Sequence, residues 1–413
     1  MVSLTGRKRK VVIMILLFVG MIISFFDRLA INVAAIPIEK EFGLNPSQVG
    51  LLISAFFISY SLMQPLGGWL TDKYGPRILI VISLASWSIF TAMTGLAWSF
   101  ASLLFIRFLF GIGEGPFHSA AVASIHENFP EKERGRANSF FLSAQGIGGV
   151  LGSVAAAAMV VALGWRGMFV SLGVVGVFVA LIFWIVLKPS DAQATSTSIQ
   201  HKKKVPLRLI FKIDNIWKII FAKFFSNVVS WGLVSWMPIY LVKERGIDLV
   251  SAGGLMAIPY ISSFLIMNLS GWLLDKVMVR REKYLIGIGS LLAAVFLYCM
   301  SIADSVTLFI TFFTFASISI SFIGTGLFTI VLKYGPKELI GSVTGLVTFS
   351  GQIAGAVSPV VIGLIISLFN GSYDAAFWFL VASAILAAIS SLTIKNEKND
   401  TSSPEYSISK THI

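Results

Sequence analysis

Long apolar runs separated by short polar stretches set the pattern of this 413-residue chain. Twelve such runs predict helices over 11–36, 47–70, 78–98, 101–126, 137–162, 166–187, 215–241, 250–273, 284–303, 306–332, 338–368 and 373–394. At 1.5 Å per residue, each is long enough to cross about 30 Å of hydrocarbon. The pattern therefore predicts an all-α membrane protein with twelve transmembrane helices. The longest polar interruption, 188–213, is Ser/Thr-rich and then basic (His201 to Lys204). It separates six spans from six. The predicted organisation is a first six-helix half over 1–187, a cytoplasmic linker over 188–213, a second half over 214–394 and a disordered polar tail over 395–413.

Composition agrees with the pattern. Charged residues make up 13% of the chain and hydrophobic ones 56%, with a mean hydropathy of +0.85. A soluble domain carries about 25% charged residues. The net charge of +12 raises the question of nucleic acid, and the placement of the charges answers it. With both termini cytoplasmic, 25 of the 32 Lys and Arg fall in inner segments, four (Lys40, Arg166, Lys243, Arg245) in outer ones and three (Arg28, Arg107, Lys223) inside spans. This bias orients the chain in a cell membrane and assigns its basic residues to the cytoplasmic face, not to a nucleic acid. The single cysteine, Cys299, excludes an internal disulfide and a cysteine metal cluster. The basic start leads into an apolar run too long for a signal peptide. No phosphate-binding loop, zinc motif or nucleophile elbow is present, so neither an enzyme nor an ATP site is expected.

The chain repeats itself. GWLTDK (68–73) ends the second span and GWLLDK (271–276) ends the eighth; PEKERGRANS (130–139) precedes the fifth and PKELIGSVTG (336–345) enters the eleventh. Two related halves with a substrate site between them near the midplane are a known transporter design.

Charges inside the spans are the candidate chemistry, since each costs at least about 2.5–3.5 kcal/mol in hydrocarbon. Arg107 and Glu114 lie in RFLFGIGEGPFH (107–118), two helical turns apart on one face. Gly111, Gly113 and Gly115 allow neighbouring helices to come close. The pair reads either as a structural ion pair or as a substrate and proton site. Asp27 and Arg28 are adjacent in the first span and point about 100° apart, so at least one lines the interior. Tyr60 and Gln145 add polar positions in spans two and five. An Arg suits two-point binding of a carboxylate, and a desolvated carboxyl can load and release a proton near neutral pH.

Two resemblances carry these residues further. The segment GWLTDKYGPR (68–77), echoed at 271–276, resembles the cytoplasmic motif of the major facilitator superfamily. That likeness implies the major facilitator fold up to about residue 395, with Gly68, Asp72 and Arg77 in gating. Asp27-Arg28, Tyr60, the run 107–116 and 130–137 resemble the anion:cation symporter family, which includes galactonate, glucarate and hexuronate permeases and vesicular glutamate and sialic acid carriers. The resemblance implies that Arg28 and Tyr60 hold the substrate, with Gln145 beside them. It gives Asp27 and Glu114 the coupling protons and makes Arg107 the link between those carboxyls.

The second half departs from that family. Sugar-acid carriers show two Asn in the eleventh span, where this chain has Thr348 and Gln352. Gln352 remains a candidate substrate ligand. Asn227, Trp231, Trp236, Thr325 and Thr348 are candidates for lining the site or for packing. His118, one turn after Glu114, is a further candidate, read as titrating or as a buried, hydrogen-bonded neutral His. Lys223 is expected to snorkel to the inner interface. The expected function is proton-coupled import of a small organic anion, a sugar acid or related carboxylate, by a monomer with no cofactor beyond the proton. The alternatives are a transporter or exchanger of a sulfonate or dicarboxylate, and a membrane sensor that binds without translocating.

Overall fold

A computed structural model describes residues 6–187, 211, 213, 215–276, 282–334 and 340–394. The linker 188–213, apart from 211 and 213, and the tail 395–413 lie outside the described residues, as do 336–339 of the second repeat pair. The described chain is helical throughout, and eleven helices are long and apolar enough to cross a membrane. The first four are α1 (Gly6–Phe42), α2 (Pro46–Tyr74), α3 (Pro76–Gly95) and α4 (Phe100–Asn128). The fifth, Glu131–Val186, runs for 56 residues but leaves helical geometry at Gly164, whose φ is 69°. We number its arms α5 (131–163) and α6 (165–186). Then come α7 (Ile216–Lys243), α8 (Leu249–Lys276), α9 (Glu282–Ser301), α10 (Val306–Tyr334), α11 (Ile340–Leu368) and α12 (Asp374–Leu392).

Several helices outrun the predicted spans, and side-chain capping fixes the start of two of them. Asn45 and Gln48 form a capping box ahead of α2, with Pro46 in its first turn. Ser99 and Ser102 do the same for α4. Gly75, at φ 82°, allows the tight link from α2 into Pro76 of α3. The break expected between 162 and 166 falls at Gly164.

Packing among the first six helices recurs among the last six. α1 packs on α5, α2 and α3 on α4, and α3 on α6. Correspondingly α7 packs on α11, α8 and α9 on α10, and α9 on α12. The two sets meet through α2 with α11 and α5 with α8. Small residues set the approach: a Cβ on Gly253 of α8 would meet the Ser153 carbonyl of α5.

The meeting is tight at one end. Lys243 is ion-paired with Glu39. The Ser47 hydroxyl donates to Ser367 Oγ at 2.8 Å, and Asn32 Nδ2 donates to the Val234 carbonyl at 3.2 Å. Gly50 lies against the backbone of Pro359. At the opposite end, which carries Asp72, a cavity opens between α7, α10 and α11. Asp72 is exposed there and makes no ion pair among the described residues.

Candidate functional site

Four charged side chains are buried within α1 and α4: Asp27 at 1% exposure, Arg28 at 6%, Arg107 at 1% and Glu114 at 1%. The run of alternating glycines in α4 brings them together. A Cβ on Gly113 would lie 2.9 Å from Ser86 Oγ and 3.0 Å from the Trp87 nitrogen, so α4 seats directly on α3 there. Gly111 abuts Ser59 and Phe56 of α2, and Gly115 abuts Met63. Glu114 therefore projects toward α1 from a helix clamped on both sides.

Arg28 Nη2 donates to Glu114 Oε1 at 2.5 Å, and Ser24 Oγ donates to the same oxygen at 2.6 Å. Glu114 Oε2 is left buried without a partner. Three aromatic rings face the Arg28 guanidinium: Tyr60 at 4.6 Å, Phe56 at 5.0 Å and Phe25 at 5.1 Å. Such cation–π contacts hold a guanidinium without cancelling its charge.

Asp27 points elsewhere. It accepts from Trp87 Nε1 at 3.2 Å and Thr91 Oγ1 at 3.3 Å, both on α3, while its Oδ1 has no partner. The two adjacent residues of α1 thus serve different neighbours, and both are buried. Arg107 lies over Phe110 at 4.6 Å and Phe56 at 5.6 Å, within electrostatic reach of both Glu114 and Asp27. Its spacing from Glu114 on one helix face leaves them without a direct ion pair; the partner of Glu114 is Arg28. The net charge of the four groups, all ionised, is zero.

The remaining candidates divide. Gln145 is half-buried on the arm of α5 where Gly146 and Gly149 meet Phe264 and Tyr260 of α8. His118 is half-buried, its ring 5.8 Å from Phe141, and has no hydrogen bond among the described residues, so it is not the bonded core histidine of one reading. Gln352, Thr348 and Asn227 line one cavity, and Gln352 Oε1 is buried without a partner. Trp236 is not in that lining: its Nε1 donates to the Pro359 carbonyl at 3.2 Å and its ring packs edge-on against Tyr373. It locks α7 to α11. Trp231 instead reaches across to Phe57 of α2, ring centroids 4.6 Å apart. The side chain of Thr325 lies outside those described. At the Asp72 end, Gly68 has open space where a Cβ would be, and Arg77 Nη2 donates to the Trp184 carbonyl at 3.1 Å.

Lys223 corrects an expectation. Its Cε lies 3.1 Å from where a Cβ on Gly351 would be, and the residue lines the cavity with Gln352. The partly exposed side chain lies along α11 at Gly351 and faces the cavity rather than a helix end. Lys218 and Lys283 reach the end of α12, donating to the Thr393 carbonyl at 2.5 Å and the Ile394 carbonyl at 3.1 Å.

Sequence reasoning missed Ser24, Trp87 and Thr91. Each had a faint signal. Ser24 shares the face of Arg28 at one turn's distance, and Trp87 and Thr91 are a turn apart on one face of the third span.

Many apolar helices around a centre of buried, compensated charge define a multi-pass membrane protein whose interior is built for polar or ionic solutes. The family model described as Major Facilitator Superfamily matches residues 17–359. The chain belongs to that superfamily, a family of transporters. It is similar to a protein of Escherichia coli (strain K12) named as a probable galactarate/D-glucarate transporter, GarP, at 30% identity over 93% of this chain and 94% of that one. It is similar as well to a probable sulfoacetate transporter, SauU, of Cupriavidus necator, at 32% identity over 90% of each chain. Its fold matches a bacterial homologue of the human lysosomal transporter Spinster, with a TM-score of 0.83 at 21% identity, covering 94% of this chain and 98% of that one.

Proposed function

We propose that this protein is a secondary transporter that imports a small organic anion, a sugar acid or related carboxylate, together with protons. One observation carries the reading: the cation suited to gripping the anion, Arg28, is held by a buried carboxylate, Glu114, that a proton can neutralise. While Glu114 is ionised, it occupies Arg28, and an entering carboxylate must compete with it. A proton placed on Glu114 ends the ion pair and frees the guanidinium, still framed by Tyr60, for the solute. Loss of that proton on the other side restores the pair and expels the anion. Proton and anion therefore occupy the site together or not at all. Asp27, held by Trp87 and Thr91, is the second proton carrier, and Arg107 passes the charge state of one carboxyl to the other. Gln145 faces the solute from α5. The proton is the only coupling ion in this scheme, and no cofactor takes part.

The architecture we infer is twelve crossings in two six-helix halves, 1–187 and 214–394, joined by 188–213, with 395–413 as a cytoplasmic tail. Two features support it: the break at Gly164 and the recurrence of helix pairing. Both termini lie in the cytoplasm of a cell carrying the protein as a monomer in its plasma or inner membrane. The end sealed by Lys243 and Glu39 is then the outer one, and the state described opens inward. Gly68, Asp72 and Arg77 gate the inner side, and an unpaired Asp72 fits a gate that has opened.

The names of the relatives support this reading, GarP for a sugar diacid and SauU for a sulfonate; the second leaves a sulfonate as the rival solute. The test is uptake into proteoliposomes with an imposed pH gradient, acid outside. Galactarate accumulation that collapses with a protonophore is expected. Uptake that ignores the gradient would replace symport with exchange, and sulfoacetate uptake alone would change the anion.

A further inference from the structure

The cavity at the open end contains a cation with no counter-charge among the described residues. Lys223, Asn227, Thr344, Thr348 and Gln352 line a space of about 100 Å³ with no carboxylate among the lining residues. Lys223 makes no ion pair among the described residues. Two buried oxygens in the same lining, Gln352 Oε1 and Thr344 Oγ1, have no hydrogen-bond partner. A polar group buried without a partner costs free energy, so native interiors seldom leave two beside a free cation unless a ligand or water completes them. The room suffices for one hydrated acid group or several waters, and not for a whole six-carbon acid.

The position of this cavity relative to Arg28 is fixed by side-chain contacts. Tyr60 lies on Arg28, and Phe57, one turn away on α2, meets Trp231 of α7 and Gly355 of α11. Asn227 and Lys223 follow Trp231 at one and two turns on the same face of α7. Gln352 precedes Gly355 by nearly one turn of α11. Asn227 and Gln352 therefore stand at the depth of Tyr60, across the interface between the two helix sets. Lys223 lies about one turn, roughly 5.4 Å, further toward the open end. Arg28 and Lys223 thus lie on opposite sides of the interface between the two helix sets, Lys223 displaced toward the open end.

We propose that Lys223, with Gln352 and Thr344, forms a second anion subsite, and that the preferred solute is a dianion with an acid group at each end. This rests on the transport reading above and names the substrate class of that site. Arg28 takes one acid group and Lys223 the other, with the Gln352 amide and the two threonine hydroxyls donating to the oxygens nearest Lys223. The Gln352 amide must then turn its nitrogen toward the ligand. A solute held at both ends also ties α1 of the first helix set to α7 and α11 of the second.

Galactarate and galactonate suit the test, because they share a six-carbon chain and differ in whether one end is a carboxylate or an alcohol. Apparent affinities for both are measured by competition against labelled solute in proteoliposomes. The wild type is expected to favour galactarate. Lys223→Met is expected to reduce the galactarate-to-galactonate affinity ratio by about ten- to a hundredfold, the worth of a charge-assisted hydrogen bond. Lys223→Arg should keep the ratio. If Lys223→Met does not fold, Thr344→Val reads the same ratio through a smaller drop. An unchanged ratio in both loss variants, with uptake of both acids intact, overturns the second subsite and leaves the transport reading standing. Uptake of neither acid by the wild type defeats the transport reading, and this inference with it.

Discussion

The two polar regions of this membrane interior are built on opposite plans. Among α1–α4, two acids and two arginines are buried together, and their charges cancel. One oxygen of Glu114 accepts from Arg28 and Ser24 and one of Asp27 from Trp87 and Thr91, while Glu114 Oε2 and Asp27 Oδ1 have no partner among the described residues. Between α7, α10 and α11 the cavity offers Lys223, Gln352 and Thr344 with no partner among the described residues for the cation or for two of the oxygens. The first region can exist empty because it supplies its own counter-charges. In the transport reading, the charge-balanced cluster can return unloaded, while the lone cation favours an anionic cargo.

The strongest way to break this contrast is to remove the shared cation of the first region. Arg28→Ala leaves Glu114 at 1% exposure without its partner. Loss of one member of a buried ion pair costs about 3–5 kcal/mol. We expect no measurable anion binding and a clear fall in melting temperature; unchanged affinity would place the anion elsewhere. Glu114→Gln tests the opposite member. It removes the competitor for Arg28 and the proposed proton site together, so concentrative uptake should disappear while exchange of external for internal anion persists. Retained accumulation in the counterflow and gradient assays would take the coupling role from Glu114.

Trp236→Phe sharpens the boundary of the second region. It deletes the hydrogen bond to the Pro359 carbonyl at a packed site beyond the cavity, which should cost about 1 kcal/mol. Apparent affinity should not move, and a tenfold weakening would mean that Trp236 borders the solute after all. The smallest effect is expected at the outer seal. Glu39→Gln removes a partly exposed ion pair worth under about 1 kcal/mol. It should raise labelling of a cysteine placed at Ser47 from outside, through a modest gain in outward-open molecules, with thermal stability nearly unaltered.

The sequence exposed unevenly what these experiments address. Asp27, Arg28, Arg107 and Glu114 stood out because charge in an apolar run is expensive and therefore rarely accidental. Their partners did not. Trp87, Thr91 and Ser24 are tolerated in any membrane helix, so nothing local marks them as the groups that hold the two carboxyls. Lys223 was visible as a charge but misjudged, since a lysine two turns from a helix end has the reach to snorkel. Gly351, far along the chain, is where it lies along α11 instead. Trp236 and Trp231 look alike in sequence, and only their neighbours separate a clamp between α7 and α11 from a contact with α2.

Hydropathy, charge bias and the internal repeat depend on the cost of placing each residue in lipid or water, which is a property of the residue itself. That is why the sequence alone determined the helices, the membrane setting and the four buried charges. Which charges pair, which remain open and which end is sealed depend on contacts between residues up to several hundred positions apart, such as Glu39 with Lys243 or Ser47 with Ser367. These are set by how closely helix backbones can approach. Tertiary structure alone therefore decided that Glu114 holds Arg28, and that a lysine faces an empty space across from it.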